Sequence, residues 1–260
     1  MTASFHYIMD DINSISIVGS GNVGTQLAKA FYKVGINIDY IYSYHHENAL
    51  ILANKVQAKA TNDLELVRSS DLVIICVPDD LVLKIANKLT NKHIAYTSGS
   101  VELPNNFTKS IGVFYPLQTF DKTNDLNMNE VPLFIEGNND KVENILNKLG
   151  SKISSNVSKV NSQNRKKYHL SAVFVNNFTN HLIHLAHIES EKNNLNWKYL
   201  LPLLKETLNK NLLSNPFDNQ TGPARRNDQF TIDKHLNMLD GYSKEIYKVI
   251  TESIKSTYYD

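Results

Sequence analysis

Ile15-Ser-Ile-Val-Gly-Ser-Gly-Asn-Val-Gly24 is the stretch from which the rest of the chain is read. An apolar run of strand length leads straight into Gly19-x-Gly21-x-x-Gly24, and an amphipathic helical pattern runs on from Val23 to Val34. The glycine string alone is a weak signal, but between a strand and a helix it points to a dinucleotide pyrophosphate. Each glycine has its own task there: Gly19 for a tight turn, Gly21 so that backbone can approach the phosphates, Gly24 so that the helix packs closely on the strand. With Ser20, Asn22 and Val23 they form a loop whose free amides lie at the positive end of a helix, where an anion is stabilised. The bland alternative is a glycine-rich turn that holds no ligand.

Downstream the pattern repeats. Asn37-Ile-Asp-Tyr-Ile-Tyr-Ser43 reads as a second strand, followed by a helix from Glu47 to Val56. Leu72-Val-Ile-Ile-Cys-Val77 is continuously apolar rather than alternating, the mark of a strand buried on both faces. Pro78-Asp79-Asp80 suits the first turn of a helix running to about Leu89. His93 to Thr97, Gly112 to Tyr115 and Val131 to Glu136 complete the strands. Strands alternating with helices of roughly 10–15 residues imply a parallel sheet with right-handed crossovers. Residues 1–138 are therefore expected to form a Rossmann-type, doubly wound α/β domain. After Gly137-Asn-Asn-Asp140 helical patterns take over: Lys141 to Leu149, about Ser162 to Asn193, Trp197 to Leu213, and one final helix from about Thr231 to Tyr258. Residues 139–260 are expected to be all-helical, with a long loop at 215–228.

The 260 residues suffice for two domains of ordinary size, and 42% hydrophobic against 20% charged residues leaves a packed core available. Twenty-seven basic and 26 acidic residues give a net charge of +1. That balance offers no electrostatic reason for a nucleic-acid or membrane-surface partner. Residues 1–14 lack the apolar core of a signal peptide, and no apolar run approaches the ~20 residues of a membrane helix. The single cysteine, Cys76, lies in the buried run and suits a reducing compartment, so a cytoplasmic location is expected.

The end of the second strand bears on the nucleotide. NAD- and FAD-binding versions place Asp or Glu about 20 residues past the loop to take the ribose hydroxyls. Tyr42-Ser-Tyr-His-His46 has no acid, and Asp39 lies too early in the strand. A 2′-phosphate is then not repelled, and Ser43, His45 and His46 can donate to it. NADP is favoured over NAD, with Ser43, Tyr44 and His45 as cofactor residues, and the missing acid also speaks against a methyltransferase. Either histidine taken singly is equally well explained as a solvated turn residue.

In an open parallel sheet, ligands bind outside the carboxyl ends of the strands where the strand order reverses. Val77 and Pro78 end one strand beside the cofactor. Thr97-Ser-Gly-Ser100 ends the next and brings Ser98 and Gly99 near the nicotinamide, and Tyr115-Pro-Leu-Gln-Thr119 ends a third. Ser98 reads equally well as a turn or capping residue. On the long helix His169, Val173, Asn176 and Asn180 share a face at helical spacing. Amides there suit a substrate-lined cleft, or an interface in which they bond one another. In Gln220-Thr-Gly-Pro-Ala-Arg-Arg-Asn-Asp228, Arg225 or Arg226 suits bidentate capture of a substrate carboxylate or phosphate, or equally an inter-subunit or interdomain salt bridge with Asp228 or another acid. The histidine spacings lack metal-ligand logic, so no metal is expected.

Together, Gly19-Ser-Gly-Asn-Val-Gly24, Thr97-Ser-Gly-Ser100, Tyr115-Pro-Leu-Gln-Thr-Phe120, His169 with Asn176-Asn-Phe-Thr-Asn-His181, and Thr221-Gly-Pro-Ala-Arg-Arg-Asn-Asp228 resemble one bacterial family. It comprises Rossmann-like proteins whose C-terminal part is domain of unknown function 2520, and the resemblance spans nearly the whole chain. That family is similar to pyrroline-5-carboxylate reductase, 3-hydroxyisobutyrate dehydrogenase and the coenzyme F420-dependent NADP reductases, within the 6-phosphogluconate dehydrogenase-like superfamily. The resemblance implies a helical substrate and dimerisation domain, a homodimer, and a cleft between domains walled by the long helix. The implied reaction is NADP-dependent hydride transfer to or from a small carbonyl or imine. Hydroxyacid dehydrogenases of the superfamily carry Lys-x-x-x-Asn on this helix. Here Lys166 and Lys167 are followed four residues later by Leu170 and Ser171, so the lysine mechanism does not carry over. His169 is the expected proton carrier, with Ser98 and Asn176 orienting the reacting group and Arg225 binding an anionic tail. The competing expectation is a non-catalytic NAD(P)-binding sensor or structural dimer, since fold alone does not establish chemistry.

Overall fold

The strands are β1 (Ser14–Val18), β2 (Asn37–Tyr42), β3 (Lys59–Thr61), β4 (Leu72–Ile75), β5 (His93–Tyr96), β6 (Ser110–Pro116), β7 (Leu133–Gly137) and β8 (Val157–Lys159). In the computed structural model, which describes residues 12–124 and 126–259, they form one sheet in the order β3-β2-β1-β4-β5-β6-β7-β8. β6 and β7 pair antiparallel; every other pairing is parallel. The connecting helices are α1 (Asn22–Lys33), α2 (His46–Val56), α3 (Asp79–Lys88) and α4 (Asp140–Ser151), and α5 (Ser162–Ala172) follows β8.

The strands read as unbroken apolar runs because both faces are covered. Ile15, Ile17, Leu72 and Ile74 pack against Leu27 and Phe31 of α1, Leu52 of α2 and Leu146 of α4. Their neighbours Val18, Val73, Ile75 and Ile94 face Val82 and Ala86 of α3 on the other side. Each such side chain, once fully buried, contributes about 1.5–3 kcal/mol.

From sequence the first domain is expected to end at 138, but the sheet continues. Val142, Leu146 and Leu149 of α4 join the core with Leu133 and Ile135, and β8 pairs with β7. The first compact unit accordingly ends at Asn176, and a second begins at Asn177. β3 and β8 escape a reading by periodicity because each has three residues and lies at a sheet edge, where no apolar pattern on both faces is required.

The second unit is helical: α6 (Thr179–Lys192), α7 (Leu201–Leu213), α8 (Pro216–Asn219), α9 (Gln229–Met238) and α10 (Gly241–Tyr259). Two expected continuous helices are interrupted. Between α5 and α6 lies a π-helical stretch, Val173–Phe178. The expected final helix is two, broken at Leu239 and Asp240, where Gly241 adopts a φ of 50° that glycine accommodates without a Cβ penalty. Among the described residues no helix is long and apolar enough to cross a membrane.

Candidate active site

β2 and β3 lie to one side of β1, and β5 to β8 lie beyond β4 on the other. The strand order reverses between β1 and β4, so their carboxyl ends frame the crevice where a ligand of such a sheet binds. Gly19 has a φ of 113°, and a Cβ there would lie 2.1 Å from the Cys76 carbonyl oxygen. A Cβ on Gly24 would lie 2.0 Å from the Gly19 carbonyl oxygen. Both glycines therefore serve the fold. Gly21 differs: it caps α1, and a Cβ there would meet nothing within 4 Å. The result is an open backbone cradle at the start of a 12-residue helix, which fits a pyrophosphate. The Asn22 side chain is spent elsewhere, its Nδ2 donating to the Phe120 carbonyl at 2.8 Å. Gln26 Nε2 reaches the Asp121 and Asn124 carbonyls at 2.5 and 2.6 Å, so the loop after β6 is tied to α1. Within that loop the Thr123 hydroxyl, with the Thr123 and Asn124 amides, holds the Asp121 carboxyl down at about 2.

At the end of β2, the Ser43 amide donates to the Thr61 carbonyl at 3.1 Å. Tyr44, His45 and His46 are exposed, and the Tyr44 ring stands edge-on to His45 with centroids 5.2 Å apart. Asp39 is engaged inside the sheet, accepting from Ser70 Oγ at 2.6 Å and Asn37 Nδ2 at 2.7 Å. The carboxylate that follows this loop, Glu47, lies in the first turn of α2.

Val77 and Pro78 lead from β4 into α3, with Pro78 at its cap. Burial pushes the Cys76 thiol up to about 12 against the pull of a hydrogen bond with Thr97, which disfavours the thiolate at neutral pH. After β5, Ser98 Oγ accepts from the Ser100 and Val101 amides at 3.1 and 2.9 Å. Of its two readings the turn-capping one describes its acceptor side, and its hydroxyl proton remains to donate. Ser100 donates to Asp79 Oδ2.

Beside this turn Tyr115 of β6 and His169 of α5 meet, Tyr115 Oη lying 3.0 Å from His169 Nδ1 with the rings edge to face. They close over Gly99, where a Cβ would stand 2.8 Å from both His169 Nδ1 and Tyr115 Cζ. Burial raises the Tyr115 phenol, the Arg165 guanidinium opposes the rise, and Asp79 adds to it. The phenol stays neutral and able to share a proton with the imidazole.

Arg165 and Glu136 form a further ion pair on α5 and β7, and sequence reasoning missed both. Arg165 is completely buried and ion-paired with Glu136. The available signal was an arginine one helical turn before His169, on the same face. Asn176 ends the first unit, exposed and within the π-helical stretch. The wider turn breaks the α-helical spacing that put it in line with His169.

Arg225 belongs to the second unit, where its guanidinium stacks 4.2 Å above the Tyr258 ring and its carbonyl accepts from Tyr259 Oη at 2.5 Å. Asp228 is not its ion-pair partner: its carboxylate accepts from the Thr231 amide and hydroxyl at 3.1 and 2.7 Å and caps α9. Among the described residues no three His, Cys, Asp or Glu side chains gather as a metal site.

Comparison with known proteins agrees with this fold. Residues 14–96 match the family model described as NADP oxidoreductase, coenzyme F420-dependent, and residues 131–254 match domain of unknown function 2520. A provisionally named NADP oxidoreductase from Bacteroides fragilis is 35% identical, covering 95% of this chain and 99% of its own, with a TM-score of 0.89. A Thermotoga maritima protein is 22% identical over 93% of this chain and 97% of its own, with a TM-score of 0.66. An imine reductase from Myxococcus stipitatus, in complex with NADP+, shares the fold at a TM-score of 0.65 and 15% identity, over 94% of this chain and 95% of its own. No functionally curated protein matches the chain. Its likeness to the B. fragilis protein over nearly the full length of both, together with the two family-model matches, means that the chain belongs to the Rossmann-type, NADP oxidoreductase-like family that carries domain of unknown function 2520.

Proposed function

We propose that the protein is an NADP-dependent oxidoreductase that moves a hydride between nicotinamide and a small carbonyl or imine. The observation that carries this is an open glycine cradle and a tyrosine–histidine pair in the same unit: Gly21 with no atom over its Cβ face, and Tyr115 with His169 closed over Gly99. Ser20, Gly21, Asn22 and Val23 would offer backbone to the pyrophosphate. Ser43, Tyr44 and His45 would take the adenosine end, with Ser43 and His45 donating to a 2′-phosphate. Val77, Pro78 and Gly99 would flank the nicotinamide. NADP, when bound, supplies or accepts the hydride.

The chain's own residues supply the proton. A protonated His169 keeps its Nδ1–H on Tyr115 Oη and releases the Nε2 proton to a substrate oxygen or nitrogen, and in the reverse direction takes it back. Tyr115 holds the ring in place. Ser98 donates its remaining hydroxyl proton to the reacting group. The test is titration with NADPH and with NADH, following nicotinamide fluorescence. NADPH is expected to bind with a Kd of order ~1–10 μM, in the range of ordinary enzyme ligands, and NADH about tenfold or more weakly, ~1.4 kcal/mol. Binding of neither overturns the oxidoreductase reading; equal binding removes the preference for NADP. Cyclic imines and small ketones are then screened for NADPH oxidation.

The helical unit is further proposed to pair with a second copy. Leu203, Leu212 and Leu213 of α7 are 65%, 83% and 87% exposed, an apolar surface of the kind that marks an interface. Light scattering at twice the chain mass supports this, and a monomer refutes it.

A further inference from the structure

We infer that Arg165 positions the proton-transfer pair: it ties the start of α5 to the end of β7 and to the turn after β5, and so sets the contact between His169 and Tyr115. The inference rests on reading that pair as the proton carrier of the reaction.

The guanidinium is fully buried, an uncommon place for arginine unless it is paired and hydrogen-bonded. Its Nη1 donates to Glu136 Oε2. Its Nη2 donates to the Val101 carbonyl at 2.5 Å and to Ser162 Oγ at 3.2 Å. Ser162 completes the joint: its hydroxyl donates to Glu136 Oε2 at 2.7 Å and its amide to Oε1 at 2.9 Å. Its Oγ also accepts from the Leu103 amide at 2.9 Å. Three segments distant in sequence therefore converge on one cation.

Both walls around the pair are referred to that cation. Val101, whose carbonyl Arg165 holds, gives its amide to Ser98 Oγ, which closes the turn containing Gly99. Gly99 is the surface on which Tyr115 and His169 pack. On the other side His169 stands four residues beyond Arg165 on α5, one helical turn along the same face. A shift of the guanidinium moves the turn and the helix together. The neighbouring Lys166–Glu102 pair is exposed and cannot do the same work, because solvent competes for both partners.

The test uses full-length Arg165→Met, Arg165→Lys and Glu136→Gln, with Tyr115→Phe as the reference. Three quantities are read: NADPH affinity, the His169 ring nitrogens by NMR, and the Tyr115 phenol by ultraviolet difference titration. The groups facing that phenol are His169 on α5, Arg165 one turn earlier, and Asp79 at the start of α3. Arg165→Met is expected to leave NADPH affinity unchanged, abolish the hydrogen-bonded Nδ1 signal of His169 and move the Tyr115 titration to higher pH. Turnover of an imine found in the screen should drop about 10²-fold, with partial recovery in Arg165→Lys. If Arg165→Met and Glu136→Gln keep the His169 signal that Tyr115→Phe removes, the positioning role is overturned and the pair survives. If Tyr115→Phe leaves both signal and turnover unchanged, the pair itself is withdrawn. Should Arg165→Met fail to fold, Glu136→Gln alone carries the comparison.

Discussion

Replacing Gly21 and Gly24 separately by alanine should split ligand binding from folding. Gly21 has φ −73°, which alanine adopts freely, and its Cβ would meet no atom within 4 Å. The folded state should tolerate Gly21→Ala, and the less flexible unfolded chain adds about 0.4–1 kcal/mol of stability, a Tm change of no more than ~2–4 °C for a unit of this size. The new methyl stands where a pyrophosphate must approach the amides, so NADPH affinity should fall at least about tenfold, or ~1.4 kcal/mol. Gly24→Ala should instead destabilise the fold. Its Cβ would lie 2.0 Å from the Gly19 carbonyl oxygen and 3.3 Å from Cys76 Cβ. Backbone cannot rotate aside as a side chain does, so the cost belongs at the upper end of overpacking, about 3 kcal/mol, a Tm loss of ~6–12 °C. Thermal unfolding with and without NADPH reads both. At 100 times the wild-type Kd, NADPH adds about 2.7 kcal/mol of stability; a tenfold weaker variant retains about half that. A wild-type NADPH shift in Gly21→Ala, or a wild-type Tm in Gly24→Ala, would show that the two glycines do not have the separate roles assigned to them.

Gly99→Ala should press its methyl on the His169 and Tyr115 rings, each of which must give by roughly 0.7 Å to reach van der Waals distance. The rate constant kcat should fall about 10- to 10²-fold, and unchanged kcat refutes the pairing over Gly99. His169→Gln should cost about 10²-fold or more in turnover; intact turnover sinks its proton role. Because the Asp121 carboxyl titrates near 2 in the folded protein and near ~3.9 unfolded, its contribution is present above about pH 4 and lost as pH falls toward 2. Asp121→Asn should therefore lower Tm at pH 6 and not at pH 2, and a pH-independent difference contradicts this. With its thiol raised to about 12, Cys76 should react with a disulfide reagent at pH 8 only after denaturation; rapid native reaction counts against its burial.

What the sequence determined by itself is local. The strand–glycine–helix context at Ile15 to Val34 fixes the phosphate loop because each glycine's task is set by backbone within ten residues or by the adjacent strand. The continuous apolar run at Leu72 to Ile75 announces a strand covered on both faces, as its burial confirms. Asp39 was set aside as lying too early in its strand, and its carboxylate is occupied by Ser70 and Asn37. The break at Asp240-Gly241 and the π-helical stretch were not legible, because Thr231 to Tyr258 and Ser162 to Asn193 each keep a plausible helical composition throughout. Only the tertiary structure brings the candidate residues together. Tyr115 and His169 are 54 residues apart, and Glu136 and Arg165 29 apart. No periodicity relates such positions; they meet only because β6, β7 and α5 pack within one unit. Ser98 shows the same division. Its residue type allowed a cap or a catalytic hydroxyl, and the choice for its acceptor side fell to the direction of two backbone amides, which depends on how the chain turns after β5.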